Sequence, residues 1–464
     1  MLIFYSFSGL HAVSITGWAK GADYRPGVPI TSSPKNHSWN AVYIDGNWQL
    51  VDCHWATRSI QLEIADDVAN NYDDFYFITD PAALIHSHLP ENPTWQLLQP
   101  ASSAAEFEGQ PFLKSNFFAL GLRLLHQNTG VLFTDHGILT LTLGFDKPAA
   151  FTYKISHDCA SDEEKSMETN LAQFILQEMA DGRVTYYFRA PRSGNYYLTI
   201  FAREIPAEIP KSSIVFKSVA EFKIISDEPA KISAPFPYCS DSGWGIDMYV
   251  NQYPMKPHNK TAILICPDGK AELKFDKEHD LHVYARLVKD GLDFDTLKKA
   301  MSLHEDNGSA VVSVALPGEG EYGLEIFAND QQKDGKLYTH FCQYLCSFLQ
   351  RDFTDLYGCV CDRSDLPASV SGDGIQSLYH LSSVFHVDDH VDSLKPSEAT
   401  ADREVPEHEK VIKFYFIGTI LSLLNYVFYW RDRSHSELAL RWCFWSRCIP
   451  LIATENHLYR RPVF

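Results

Sequence analysis

A fifteen-residue pattern occurs twice in this chain, and it limits the fold more than any other feature. Residues 188–202, Phe-Arg-Ala-Pro-Arg-Ser-Gly-Asn-Tyr-Tyr-Leu-Thr-Ile-Phe-Ala, line up with residues 314–328, Val-Ala-Leu-Pro-Gly-Glu-Gly-Glu-Tyr-Gly-Leu-Glu-Ile-Phe-Ala, 126 positions later. Upstream, Leu143-Gly144-Phe145-Asp146-Lys147 matches Leu273-Lys274-Phe275-Asp276-Lys277 at a spacing of 130, so the two copies differ by one short indel. Within each copy apolar residues alternate along the chain, the period of a strand with one buried face. Further alternating runs at 138–145, 150–155, 184–188 and 196–202 are separated by turn residues. Short strands at such spacing predict a β-sandwich, and the repeat predicts two in tandem, each of about 110 residues. Residues 162–179 read as a charged, helical interruption. The shared Pro-x-x-Gly-x-Tyr-x-Leu-x-Ile-Phe-Ala is explained by turn geometry and core alternation, so it implies no chemistry.

Ahead of the repeats the texture differs. Asn36-His37-Ser38-Trp39-Asn40-Ala41-Val42-Tyr43-Ile44 and Asn47-Trp48-Gln49-Leu50-Val51-Asp52 flank Asp45-Gly46. Two aromatic and β-branched runs joined by Asp-Gly predict a hairpin with a two-residue type I′ turn. Tyr43 then faces Trp48, Ala41 faces Leu50, Trp39 faces Asp52, and His37 pairs with His54. Side-chain alternation puts His37, Trp39, Ala41, Tyr43, Trp48, Leu50 and Asp52 on one face. Asp52 sits diagonal to His37, at about 7 Å between backbones. An imidazole with a carboxylate beside it is the base and orienting anion that a nucleophile requires. On spacing alone, a His and an Asp near the ends of a hairpin are more often ordinary polar caps.

The residues around the hairpin carry a resemblance. Gly17-Trp18-Ala19-Lys20-Gly21, Tyr24, His37-x-Trp39-Asn40, the Asp45-Gly46-x-Trp48 turn and Asp52 resemble the core of the transglutaminase-like (papain-like thiol) superfamily. Residues 75–81, Leu84-Ile85, His88-Leu89-Pro90 and Trp95-Gln96-Leu97-Leu98 look like its kyphoscoliosis peptidase and hillarin branch. The resemblance implies an α+β domain and a Cys-His-Asp thiol acyl-transfer site, with His37 and Asp52 as two of its members. Trp18 and Trp39 are candidates to wall the pocket, with core packing the alternative. In that family the cysteine precedes the histidine, at the start of a helix whose positive end favours thiolate. No cysteine stands before Cys53 here. Cys53 follows Asp52 directly and points to the opposite face of a strand. The catalytic cysteine is thus absent from its expected place, which fits an N-terminally incomplete enzyme, a pseudoenzyme, or, least in keeping with the family, a later cysteine that folds back to the site. The resemblance equally allows a non-catalytic cytoskeletal scaffold, and it implies protein substrates or cytoskeletal partners.

Composition narrows the rest. With 45% hydrophobic residues in 464, the chain can build several cores. A net charge of -19 argues against a nucleic-acid partner, which needs clustered Lys and Arg. Ten cysteines are spread thinly, as reduced thiols of a cytoplasmic protein would be. Cys342-x3-Cys346 and Cys359-x-Cys361 have no second ligand pair, so neither metal nor cofactor is expected. His86 and His88 read as solvated loop histidines, and Asp80 as a turn residue before Pro81. The Gly243-Trp244-Gly245 stretch reads as a packing turn.

The expected layout is α+β overall. A partial transglutaminase-like domain spans 1–105, β-sandwich (Ig-like) modules span 110–230 and 231–347, a linker spans 348–410, and a hydrophobic helix and tail spans 411–464. Residues 414–430 carry no charge, and with Val411 and Ile412 they approach the roughly 20 apolar residues that a membrane span needs. A cytoplasmic, cytoskeleton-associated protein is the expectation, with membrane attachment through 411–430 as the alternative.

Overall fold

The computed structural model describes residues 10–57, 73–158, 171–180, 182–205, 215–238, 244–246, 255–278, 281–306, 308–330 and 338–349. The expected linker beyond 349 and the apolar run at 414–430 lie outside them. Among the described residues no helix is long and apolar enough to cross a membrane.

The hairpin forms in the expected register. Strand β2 (His37–Ile44) pairs antiparallel with β3 (Asn47–Val51), with Ile44 opposite Asn47, Tyr43 opposite Trp48 and Asn40 opposite Val51. Asp45 (φ 50°) and Gly46 (φ 83°) are both left-handed, as a type I′ turn requires. Tyr43 and Trp48 meet edge to face at 5.3 Å. One part of the reading fails. The chain leaves the strand after Val51, and Asp52 caps helix α1 (Cys53–Thr57), so His54 is helical and is not paired with His37. An aspartate before a helix satisfies orphan N–H groups more effectively than another strand residue would. Residues 74–76 form a 3₁₀ turn leading into β4 (Phe77–Thr79), which pairs with β3.

Strand β1 (His11–Ala19) runs through Gly17-Trp18-Ala19 and pairs at that end with β5 (His88–Pro90), Ala19 facing His88. Asp80 caps helix α2 (Pro81–Leu84), as a turn residue before proline should. The strand order is β4-β3-β2-β1-β5. Helix α3 (Ala104–Gly109) starts with a full capping box, Ser103 and Glu106 satisfying each other's backbone N–H groups.

The two repeats are two β-sandwiches. In the first, strands Ala149–His157, Gly194–Glu204 and Lys217–Ser226 pack across a core from Ile138–Gly144, Arg183–Arg189 and Ile175–Ala180. The second stacks Leu281–Val288, Gly320–Asp330 and Thr339–Phe348 on Lys270–Lys277, Ser309–Ala315 and Met301–Asp306. The helix expected over 162–179 is overturned at its end: 171–174 make a 3₁₀ turn, and Ile175–Ala180 is a strand whose first five side chains are buried. Trp244–Ile246 is likewise a strand. It lies parallel to Ile175–Ala180 and antiparallel to Thr339–Phe348, joining both sandwiches in one nine-stranded sheet.

The repeated Pro-x-x-Gly-x-Tyr has a concrete basis. Gly194 (φ 136°) and Gly320 (φ 134°) open equivalent strands in a conformation that suits glycine. Two residues on, the Tyr196 hydroxyl donates to the Arg192 carbonyl at 2.6 Å and the Tyr322 hydroxyl to the Gly318 carbonyl at 2.8 Å. This is the tyrosine corner of immunoglobulin-like sandwiches. The described residues are therefore largely β with short helices, rather than the α+β balance expected.

Candidate active site

His37 opens β2 at the end of the loop that follows Lys20, and it is half-buried. Its place is fixed one residue earlier. The Asn36 side chain accepts from the Ala19 N–H at 2.8 Å and donates to the Ala19 carbonyl at 2.9 Å, and the Asn36 N–H donates to the Gly17 carbonyl. Asn36 thus makes three bonds to the Gly-Trp-Ala segment.

His88 stands across from Ala19 with its ring 5.3 Å from that of His37. It is 1% exposed, not a solvated loop residue, because all three residues of β5 are buried. The Ser87 hydroxyl lies 2.8 Å from His88 Nδ1 and orients the ring. His86 is also mostly withdrawn from water. Burial pulls its imidazole down to about 4, against the raising effect of its bond to the Pro111 carbonyl, and Lys20 lowers it further. It is neutral at pH 7.

Asp52 is 1% exposed. One carboxylate oxygen accepts from the His54 and Trp55 N–H groups, each at 3.0 Å, and its own N–H donates to the Tyr76 carbonyl. Such a cap fixes a carboxylate in one rotamer. Cys53 is buried on α1, so it sits on a helix and not on the strand face expected.

His37, Asp52 and His88 each bring one ligand-type atom, an imidazole nitrogen or a carboxylate oxygen, to within 4.8 Å of one another. The first two are the residues the hairpin pattern singles out. His88 escaped that pattern because its position depends on β1 pairing with β5, some seventy residues along the chain. Chemically, two imidazoles and a carboxylate can relay a proton or hold a divalent ion, although no metal was expected from the sequence. Trp39 is buried at 3% exposure, and Trp18 is half-buried with its indole N–H donating to the Ser33 carbonyl at 2.7 Å.

The fold and these residues define a class of protein: a small sheet bearing a His-Asp-His cluster, followed by tandem immunoglobulin-like sandwiches. Comparison with known families bears out the sandwiches. The KY-like, immunoglobulin-like domain matches residues 104–237 and 251–351, and the chain belongs to the family that this domain defines. Hillarin of Drosophila melanogaster is 32% identical over 384 residues, covering 75% of this chain and 47% of hillarin. Kyphoscoliosis peptidase of Homo sapiens is 27% identical over 354 residues, covering 73% of this chain and 48% of the human protein. Cytokinesis protein 3 of Schizosaccharomyces pombe is 35% identical over 97 residues, 21% of this chain and 11% of that protein. The chain spans about half the length of hillarin and kyphoscoliosis peptidase.

Proposed function

We propose that this chain carries the base and the orienting acid of a transglutaminase-like thiol acyl-transfer site. No cysteine precedes His37 in this sequence, and in this reading the thiol comes from another segment. A cysteine presented to His37 gives its proton to the imidazole, and the sulfur attacks an amide carbonyl. The C–N bond breaks, the amine leaves with the proton from His37, and a thioester remains for water or a second amine to resolve. Asp52 holds the imidazole in one tautomer and stabilises its charged form. Without the thiol the chain is catalytically silent.

The observation that carries this reading is the Asp45-Gly46 hairpin, whose register holds through to Asn40–Val51 with Asp52 locked just beyond it. The likeness to kyphoscoliosis peptidase supports it. The test compares this chain with the product of a longer transcript that supplies an upstream cysteine, using a glutamine-mimicking electrophile. Labelling is expected only in the longer product, and it should drop at least a hundredfold in its His37→Gln variant. Labelling that is indifferent to His37 overturns the proposal.

A second reading is a non-catalytic cytoskeletal scaffold. It is favoured by the share of described residues given to the two sandwiches and by the relative named for cytokinesis. Co-sedimentation of this chain with actin filaments or microtubules, in the absence of any labelling of the longer product, would select it.

A further inference from the structure

Lys20 lies in the Gly-Trp-Ala-Lys-Gly motif, which the acyl-transfer chemistry does not use, and its side chain is wholly buried at 0% exposure. A lysine removed from water normally has a carboxylate partner. Among the described residues its ammonium donates to the Gln110 carbonyl at 3.2 Å. The nitrogen also lies 4.5 Å from the centroid of Phe107 and 5.3 Å from that of Tyr24. Around it, Tyr24 Oη, His86 Nδ1 and Gln110 Oε1 are buried with no hydrogen-bond partner among the described residues. Buried orphaned polar atoms on three residues that adjoin one amine mark a site whose balance depends on where protons sit.

The same site fastens the loop after β1 onto the first sandwich. On α3, Glu108 accepts from the Ile30 N–H at 2.9 Å, the Thr31 N–H at 2.8 Å and the Thr31 hydroxyl at 2.7 Å. Arg25 stacks on Tyr197, and Lys20 itself is tied by its N–H to the Ser87 carbonyl. The loop so held ends at Asn36 and hands the chain to His37.

We propose that Lys20 is a proton-operated latch: its neutral amine lets the 20–36 loop seat on the first sandwich, and its protonation loosens that seat. This holds whether or not His37 acts as a base.

The groups facing Lys20 set the sign. Desolvation pulls its pKa down to about 7, against the raising field of Glu108. Glu108 stays ionised throughout: its partial burial raises it, but the Thr31 and Ile30 bonds and Lys20 hold it below the ordinary carboxylate range. Tyr24 is pushed up to about 12 by burial and by Glu108 and Glu221, so it stays a neutral phenol, and His86 is neutral above about 4. Lys20 alone changes charge in between. With the loop lifted, Lys20 regains the pKa of a solvated amine, so the open form binds the extra proton. Seating therefore strengthens as pH rises from about 7 toward about 10.5 and is level below 7.

The test is hydrogen–deuterium exchange of the full chain from pH 6.5 to 10, each rate divided by the intrinsic rate at that pH. Protection of the Lys20, Ile30, Thr31 and Asn36 amides should rise at least tenfold across the upper range. In Lys20→Met it should be flat with pH and no lower than the native value at pH 10. A flat native profile, or a Met variant less protected than the native chain at pH 7, overturns the latch. Should the Met variant not fold, competitive acetylation of the native chain by acetic anhydride reads the amine directly. A half-point for Lys20 near 7 supports the proposal, and one at 10 or above overturns it.

Discussion

Arg189 and Glu321, one from each sandwich, meet in a two-pronged ion pair buried to 1% and 7% exposure. The guanidinium also stacks 3.8 Å from the centre of the Phe236 ring, and Trp244 is buried close by in its own cluster with Leu176, Tyr187, Phe236 and Leu345. The joint between the two modules is thus a small core of its own, crossed by a continuous sheet, and not a tether between independent domains.

The pair yields a prediction in which the double variant is milder than either single one. In Arg189→Met, the buried Glu321 side chain loses its guanidinium partner, which should cost about 3–5 kcal/mol. Replacing both with Met removes two desolvation penalties together, and most of that loss should return. Chemical denaturation of the full chain measures it. Equal losses for the single and double variants would show that the ion pair itself, and not the stranded charge, is what matters.

Glu178 sits in the same joint, accepting from the Ala262 N–H on one oxygen and the Tyr187 hydroxyl on the other. Burial pushes its carboxyl up, and these two bonds pull it partly back. A raised carboxyl holds its proton more tightly when folded, so its contribution is full below the unfolded value near 4.5 and falls as pH rises through the folded value. Glu178→Gln keeps an acceptor for Ala262 but disturbs the Tyr187 bond, at about 1 kcal/mol. The variant should be the less stable protein at pH 4 and gain steadily on the native chain toward pH 8. Denaturation midpoints that run parallel across that range would rule out titration of Glu178.

How much of this was legible in the sequence depends on the range of the interactions involved. Local signals were reliable. Asp45-Gly46 gave the hairpin and its register, and the repeat gave both sandwiches, because alternation and turn chemistry are set by neighbours in the chain. Asp52 as a helix cap was missed, since Cys-His-Trp-Ala-Thr has no helical period long enough to notice. Trp244 was read as a turn because a three-residue strand is held by partners at 178–179 and 342–343, which no local pattern announces. The burial of His88 and Lys20 is likewise a product of long-range packing.

Asp52 offers a way to separate structure from chemistry at the candidate site. Its carboxylate has two jobs here: it caps α1 through His54 and Trp55, and in the proposed reading it orients His37. Asparagine caps helices about as well as aspartate, whereas alanine forfeits the cap at about 1 kcal/mol. Asp52→Asn should therefore leave the denaturation midpoint nearly unchanged, and Asp52→Ala should lower it. If the carboxylate also serves His37, the two variants must behave alike in the cysteine-supplied protein. Both lose the anion that selects the tautomer and stabilises the imidazolium, and a carboxylate-to-amide change in that role lowers kcat on the order of 10⁴-fold. A capping role alone predicts the opposite split, with Asn active and Ala merely less stable. Measuring midpoint and turnover on the same two variants decides between them, because neither role can imitate the other's pattern.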